Sequence, residues 1–289
     1  SRKRVKDYLV LMRLDRPVGT LLLLWPTLAA LCMAAGALPP LSLLLIFTVG
    51  TFAMRSAGCV INDYADRNVD GHVKRTKQRP LATGAIPPNH ALWLFAGLVA
   101  IAGLLALMLN RETLLLAIAG LGLAVLYPFM KRWTHLPQVV LGAAFSWGIP
   151  MAWSAQQTTV PSEAWLMFVA SLLWIVAYDT QYAMVDRDDD LKIGVKSTAI
   201  LFGTLDRLMI GVLQAGAWLG FLLLGLDLGY QHLYFVGLVL IACLFGYQHW
   251  LIRDRQREGC FEAFRSNIWV GVSLLMGTLL ELLVGTWLR

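Results

Sequence analysis

Residues 21–47 read LLLLWPTLAALCMAAGALPPLSLLLIF. The stretch holds no charged side chain, and Gly36 and the Pro39–Pro40 pair cut it into two apolar runs. The run ending at this cut and the one starting after it are long enough for helices of about 20 residues, the length that crosses a ~30 Å hydrocarbon layer. In lipid, every backbone N–H and C=O must be satisfied internally, which a helix does within its own segment. A transmembrane barrel would instead show short segments alternating apolar and polar residues. The rest of the chain is of the same kind. Of its 289 residues 58% are hydrophobic and only 15% charged, against about 25% charged in soluble domains. These features predict an all-α, polytopic membrane protein, organised as a single integral-membrane domain over residues 1–289.

Apolar runs bounded by Gly, Pro and charged residues predict nine spans: 18–36, 41–62, 89–109, 113–130, 136–155, 163–185, 206–226, 230–252 and 266–288. Twenty-one of the 24 Lys and Arg residues, with Arg207 at the rim of the seventh span among them, then gather on the side of the N-terminus. Arg111 and Arg289 fall on the other side, and Arg55 lies inside the second span. Basic residues accumulate on the cytoplasmic side of membrane proteins, so the N-terminus and the loops after even-numbered spans are expected there. The net charge of +6 thus follows from topology and attraction to anionic lipid head groups, and implies no nucleic-acid partner. The start, SRKRVKDY, begins without Met and shows no signal-peptide pattern. Cys32, Cys59, Cys243 and Cys260 have no paired spacing and the five His do not cluster with them, so neither a disulfide framework nor a zinc site is indicated.

The second span ends in INDYADRNVD, residues 61–70. On a continuous helix turning ~100° per residue, Asn62, Asp63, Asp66 and Asp70 share an arc of about 100°, with Arg55 on the same stripe and deeper. The sixth span ends in YDTQYAMVDRDDD, residues 178–190. There Asp179, Asp186 and Asp190 fall within about 40° of one another if the helix reaches 190; Asp188 faces away and Asp189 is intermediate. An even number of crossings separates the two clusters, so both emerge at one membrane face and suggest a shared cavity. Like charges this close raise one another's pKa unless a cation neutralises them. Oxygen donors without thiolate or imidazole point to Mg²⁺, bridged by substrate phosphates. Lys74, Arg75, Lys77 and Arg79 follow the first cluster, and Lys192 and Lys196 the second; each is either a phosphate ligand or an ordinary cytoplasmic charge.

NDYADRNVD fits N-D-x-x-D-x-x-x-D and DRDDD fits D-x-x-x-D, and the chain therefore resembles the UbiA superfamily of intramembrane prenyltransferases. GHVKRTKQRPLATG (71–84), LYPFMKRWTHLPQVVLGAAFSWGIPMA (126–152) and YDTQYAMVDRDDDLKIGVKSTAILFG (178–203) resemble its bacterial 4-hydroxybenzoate polyprenyltransferases in particular. The likeness runs from about Arg13 to beyond the seventh span. It implies nine helices around a central cavity with a cytoplasmic cap, in the bacterial inner membrane, with the active site on the cytoplasmic side. It also implies the activity: transfer of a polyprenyl group from its diphosphate to the ring position ortho to the hydroxyl of 4-hydroxybenzoate, in ubiquinone synthesis. No obligatory protein partner is implied.

On that basis Asn62, Asp66 and Asp70 are expected to hold one Mg²⁺ and Asp186 and Asp190 another, with Asp63 and Asp179 as ligands or just behind them. Tyr127 and Lys131, one helical turn apart, match a YxxxK pattern that the family places at the diphosphate; Arg67 and Arg132 are expected helpers. The alternative for Lys131 and Arg132 is plain cytoplasmic charge. Arg55 admits two readings: a bidentate partner for the acceptor's carboxylate, or an internal ion pair with Asp63 or Asp66. Arg13 and Arg16 are weaker candidates for the carboxylate. Gln214 and Glu281 are expected to be packing features. Two rival functions are prenylation of another acceptor, homogentisate-like, and divalent-cation transport.

Overall fold

The computed structural model describes residues 2–284 and is all-helical there. Twelve α-helices run in order: α1 (Arg2–Leu11), α2 (Val18–Ala35), α3 (Leu41–Asp66), α4 (Pro88–Ala106), α5 (Arg111–Trp133), α6 (Pro137–Ser146), α7 (Gly148–Gln157), α8 (Ser162–Ile193), α9 (Thr198–Phe202), α10 (Asp206–Asp227), α11 (Leu233–Leu251) and α12 (Arg257–Leu283). Eight of the nine expected spans appear as single long apolar helices. The fifth is α6 and α7 together, broken at Trp147. Pro150 explains the break: it has no N–H for the carbonyl of Ser146, four residues back, and its ring crowds that position. The final residues of the ninth span, 285–288, and Arg289 lie outside the described residues.

The helices form a ring in which α12 closes back onto α2, and α8 packs against α6, α10 and α12. Among neighbours around this ring, α4 and α5 touch each other least. Their sides face outward: α4 buries just Ala91 and Ala106, and α5 just Thr113 and Pro128. The N-terminus of α5 is fixed by Asn110, whose side chain accepts from the Thr113 N–H (2.9 Å) and donates to the Ser154 carbonyl on α7 (2.7 Å). Such a cap satisfies one of the helix's free donors.

Two helices are longer than a membrane requires. At 1.5 Å per residue, the 32 residues of α8 span about 48 Å and the 26 of α3 about 39 Å, so their polar ends overhang the apolar layer. α8 continues to Ile193, which meets the condition for grouping Asp179, Asp186 and Asp190 on one face. It stops where Gly194 takes a left-handed conformation (φ 71°) and returns its N–H to the Asp190 carbonyl, a residue type that adopts this geometry freely. α3 departs from expectation. It ends at Asp66, and Asp70 opens a short 3-10 turn over Asp70–His72. Gly71 disfavours helix continuation, and Thr76 Oγ1 donates to the Asp70 carbonyl (2.8 Å), fixing the turn.

A ring of three amides locks α8 against α11 and α12. Gln181 Nε2 donates to Gln248 Oε1 (3.0 Å), Gln248 Nε2 to Asn267 Oδ1 (3.1 Å), and Asn267 Nδ2 back to Gln181 Oε1 (3.1 Å). Gln214 of α10 donates to Gln248 Oε1 (2.7 Å), Ser266 accepts from Gln248 (3.0 Å), and Trp174 donates to Asn267 Oδ1 (2.9 Å). Gln214 is thus a packing residue, as expected, and so is Glu281, which accepts the N–H groups of Gln231, Leu233 and Tyr234 at the start of α11. Replacing Gln248 with Leu removes the shared partner of four side chains. A buried donor or acceptor left unmet costs about 1–3 kcal/mol, so Gln248→Leu is expected to lower the thermal midpoint of the detergent-solubilised protein by several degrees. An unchanged midpoint would mean that the network contributes nothing to stability.

Candidate active site

The acidic ends of α3 and α8 lie at the same end of the bundle and open onto one cavity of about 1640 Å³. Asn62, Asp63, Asp66 and Asp70 line it from one side, Asp179, Asp186 and Asp190 from the other, with Tyr127 and Lys131 of α5 between. Deeper, the wall turns apolar, with Ile46 and Phe47 of α3, Ala102 and Ala106 of α4, and Leu114 and Leu121 of α5. The cavity is therefore charged at one end and greasy at the other.

The acidic side chains are interleaved with cations rather than gathered into a ready metal cage; no such cage occurs among the described residues. Asp66, 2% exposed, bonds Lys131 Nζ and has Arg132 Nη2 at 3.8 Å. Asp63 is fully buried between Arg13 (2.9 Å) and Arg79 (2.8 Å). Asp70 accepts from Arg79 (3.0 Å). Across the cavity, Arg75 reaches from the loop after α3 to α8: its Nε and Nη2 donate to Asp186 Oδ2 (2.8 and 2.6 Å), and its Nη1 to Tyr182 Oη (2.5 Å). The Lys74 N–H donates to Asp189 Oδ2 (3.3 Å). These bonds join the two motifs at a single mouth.

Burial pushes the Asp70 carboxyl above its usual range; Arg79 lowers it, while Asp63 and Asp66 raise it. A divalent ion binding there would compete with the proton for this carboxyl. The donor set suits a hard divalent ion: it is oxygen only, with carboxylates from two helices. Asp186 Oδ1 is buried and accepts no hydrogen bond, which leaves a lone pair for such an ion.

The remaining expected residues divide. Lys74, Arg79 and Lys196 line the cavity with Arg13, Arg16 and Arg75. The Lys196 N–H donates to the Lys131 carbonyl (3.2 Å), tying the loop after α8 to the end of α5. Arg67 turns back over the Tyr64 ring (4.3 Å) and donates to the Tyr64 carbonyl; it is not among the lining residues. Lys192 is exposed away from the cavity, and Arg132 packs over Phe129 while donating to the Ala65 carbonyl. Asp188 is exposed, as expected, but Asp189 is buried.

Arg55 is paired with neither Asp63 nor Asp66. Among the described residues no carboxylate lies within ion-pair distance of it, because Asp63 and Asp66 are held by other cations. Its guanidinium sits over the Phe145 ring (5.2 Å) with Nε buried and unpartnered. Gly19 makes the room: a Cβ there would lie 2.4 Å from Arg55 Nη2. Arg13, weighed for the same job, is instead committed to Asp63.

Sequence reasoning missed Arg257, whose guanidinium stands 3.9 Å from both Asp186 and Asp189. It looked like loop charge because the ninth span was expected to start at 266, whereas α12 begins at Arg257. Asp206 was also missed. Fully buried at the start of α10, it accepts from Arg187 (2.6 Å) and Arg255 (2.8 Å), bracing the acidic end of α8 from behind.

Residues 23–271 match the family described as the UbiA prenyltransferase family. Over 279 residues the chain is 58% identical to a 4-hydroxybenzoate octaprenyltransferase of Chromohalobacter salexigens, covering 96% of this chain and 94% of that one. It is 55% identical to the enzyme of the same name from Vibrio cholerae, with 96% and 98% covered. Among solved structures, it resembles an apo UbiA homologue from Aeropyrum pernix (TM-score 0.80, 26% identity, 92% and 98% covered). It also shares the fold of a UbiA homologue from Archaeoglobus fulgidus bound to GPP and Mg²⁺ (TM-score 0.72, 18% identity, 93% and 99% covered).

Proposed function

The chain belongs to the UbiA prenyltransferase family, and on that premise we propose that it transfers a polyprenyl group from polyprenyl diphosphate to the ring carbon ortho to the hydroxyl of 4-hydroxybenzoate, releasing diphosphate. The observation that carries this reading is the facing of two carboxylate-rich helix ends across one cavity, where Arg75 bonds Asp186 of α8 while Arg79 and Lys131 bond Asp70 and Asp66 on the α3 side. Such alternation of fixed cations and anions suits a metal–diphosphate, whose charges complement both.

In this reading Asn62, Asp66 and Asp70 hold one Mg²⁺ and Asp186 and Asp190 a second. Bound there, Mg²⁺ would neutralise charge developing on the departing diphosphate, the kind of electrostatic stabilisation that dominates many such steps. Asp63 keeps Arg13 and Arg79 in place, and Asp179 lines the wall below the second ion. Lys131, Arg75, Arg79, Lys74 and Lys196 face the phosphates, and Tyr127 lies one turn before Lys131 on the same helix face. The apolar depth accommodates the isoprenoid chain and keeps water from the allylic cation. Arg55 offers its fork to the acceptor's carboxylate. The site opens to the cytoplasm of a bacterial inner-membrane protein, a sidedness that the charge bias supports, and the product enters ubiquinone synthesis.

Gly19→Val tests the acceptor end of this arrangement, since the added side chain displaces Arg55. It is expected to raise KM for 4-hydroxybenzoate while leaving KM for the diphosphate near its original value. Equal changes in both would place Arg55 elsewhere in the mechanism. Acceptor identity is tested by offering a panel of aromatic acids, homogentisate among them, with a single allylic diphosphate: 4-hydroxybenzoate should be preferred, and a preference for another acid would replace it.

A further inference from the structure

Among the described residues, two donors in the cavity wall have no partner: Arg55 Nε, and the hydroxyl of Tyr178, a residue only 1% exposed. Both residues line the cavity. They sit on the two helices that carry the acidic clusters, Arg55 seven residues before Asn62 on α3 and Tyr178 eight before Asp186 on α8. At 1.5 Å per residue along its own helix, Arg55 lies about 10 Å below Asn62 and Tyr178 about 12 Å below Asp186, directly before Asp179. The Tyr178 ring has little freedom to find another partner, being held edge-on by Trp174 (5.4 Å) and Phe264 (5.8 Å). Arg55 is likewise held, between the bare backbone of Gly19 and the Phe145 ring.

Buried polar groups are nearly always paired, and an unpaired one calls for a partner that binds there. Two unmet donors in the wall of one cavity, one of them a guanidinium, fit an acceptor with several lone pairs and a negative charge. A carboxylate has both: its two oxygens offer about four acceptor positions, more than a guanidinium fork fills. We propose that the Tyr178 hydroxyl donates a hydrogen bond to the carboxylate of the aromatic acceptor beside Arg55, and so selects acids over neutral aromatic acceptors. This assignment rests on the acceptor chemistry proposed above and adds to it a specificity residue on α8.

Tyr178→Phe keeps the ring and its contacts with Trp174 and Phe264 and removes only the donor. In membranes containing the full chain, KM for 4-hydroxybenzoate should rise about tenfold. kcat and KM for the diphosphate should stay within about twofold, a split that general loosening of the fold would not produce. With 4-hydroxybenzamide, a neutral near-isostere, the variant and the original protein should behave alike, so the preference for acid over amide shrinks about tenfold. An unchanged KM for the acid in Tyr178→Phe, with the original protein active, would overturn the assignment alone. Equal use of acid and amide by the original protein would overturn it without reference to any variant. Failure of the original protein to prenylate 4-hydroxybenzoate at all would overturn the functional reading, and this assignment with it.

Discussion

Asp66→Ala and Asp190→Ala are each expected to abolish nearly all product, a loss of about a thousandfold in membranes supplied with Mg²⁺, polyprenyl diphosphate and 4-hydroxybenzoate. The two residues come from different helices, α3 and α8, and line opposite sides of one cavity. If the diphosphate is held between two metal-bearing faces, removal of either face removes the charge balance on which its departure depends. Asp66→Ala also leaves Lys131 without its carboxylate, so Asp66→Asn, which keeps the shape, should be measured alongside and should fail as well. Asp188→Ala, two residues before Asp190 but exposed, should retain activity. Full turnover in Asp66→Asn or Asp190→Ala would take that residue out of the metal site.

Arg55→Ala is expected to raise KM for 4-hydroxybenzoate about a hundredfold, since truncating one member of a buried charge pair costs about 2–5 kcal/mol and each 1.4 kcal/mol is about a factor of ten. KM for the diphosphate should change little, because the charged mouth of the cavity, where the phosphates are proposed to sit, has its own cations in Arg75, Arg79 and Lys131. The position supports this separation: seven residues before Asn62, Arg55 lies about 10 Å deeper along α3. Steady-state kinetics with each substrate varied in turn decides the matter. A matched rise in both constants would return Arg55 to a general structural role.

Much of the architecture was legible because membrane spans are long and nearly uniform in composition. α2, α4 and α10 begin and end within a few residues of their expected limits. The break at Trp147 had a visible signal, Pro150 inside an apolar run, which hydrophobicity alone overrides. The acidic faces were legible because helical periodicity fixes which side chains share a face. This held for Asp179, Asp186 and Asp190, where α8 continues to Ile193, and less well for Asp70, which left the helix for a turn beside Gly71. The partners were hidden: nothing in one helix announces that Asp63 meets Arg13 fifty residues earlier, or that Arg75 crosses to Asp186. Polar pairing between distant segments decides such contacts, and periodicity carries no information about it. The same limit concealed the Gln181–Gln248–Asn267 ring, whose members look like isolated polar residues in three separate apolar runs.

The proposed mechanism has carboxylates at the tips of α3 and α8 acting together, with Mg²⁺, on one diphosphate. It is tested most directly by incubating the purified protein with polyprenyl diphosphate and radiolabelled 4-hydroxybenzoate, and measuring labelled prenylated product and free pyrophosphate together. The expected result is one pyrophosphate released per product, lost on chelation and restored by Mg²⁺. Prenylation that continues undiminished in excess chelator would contradict it.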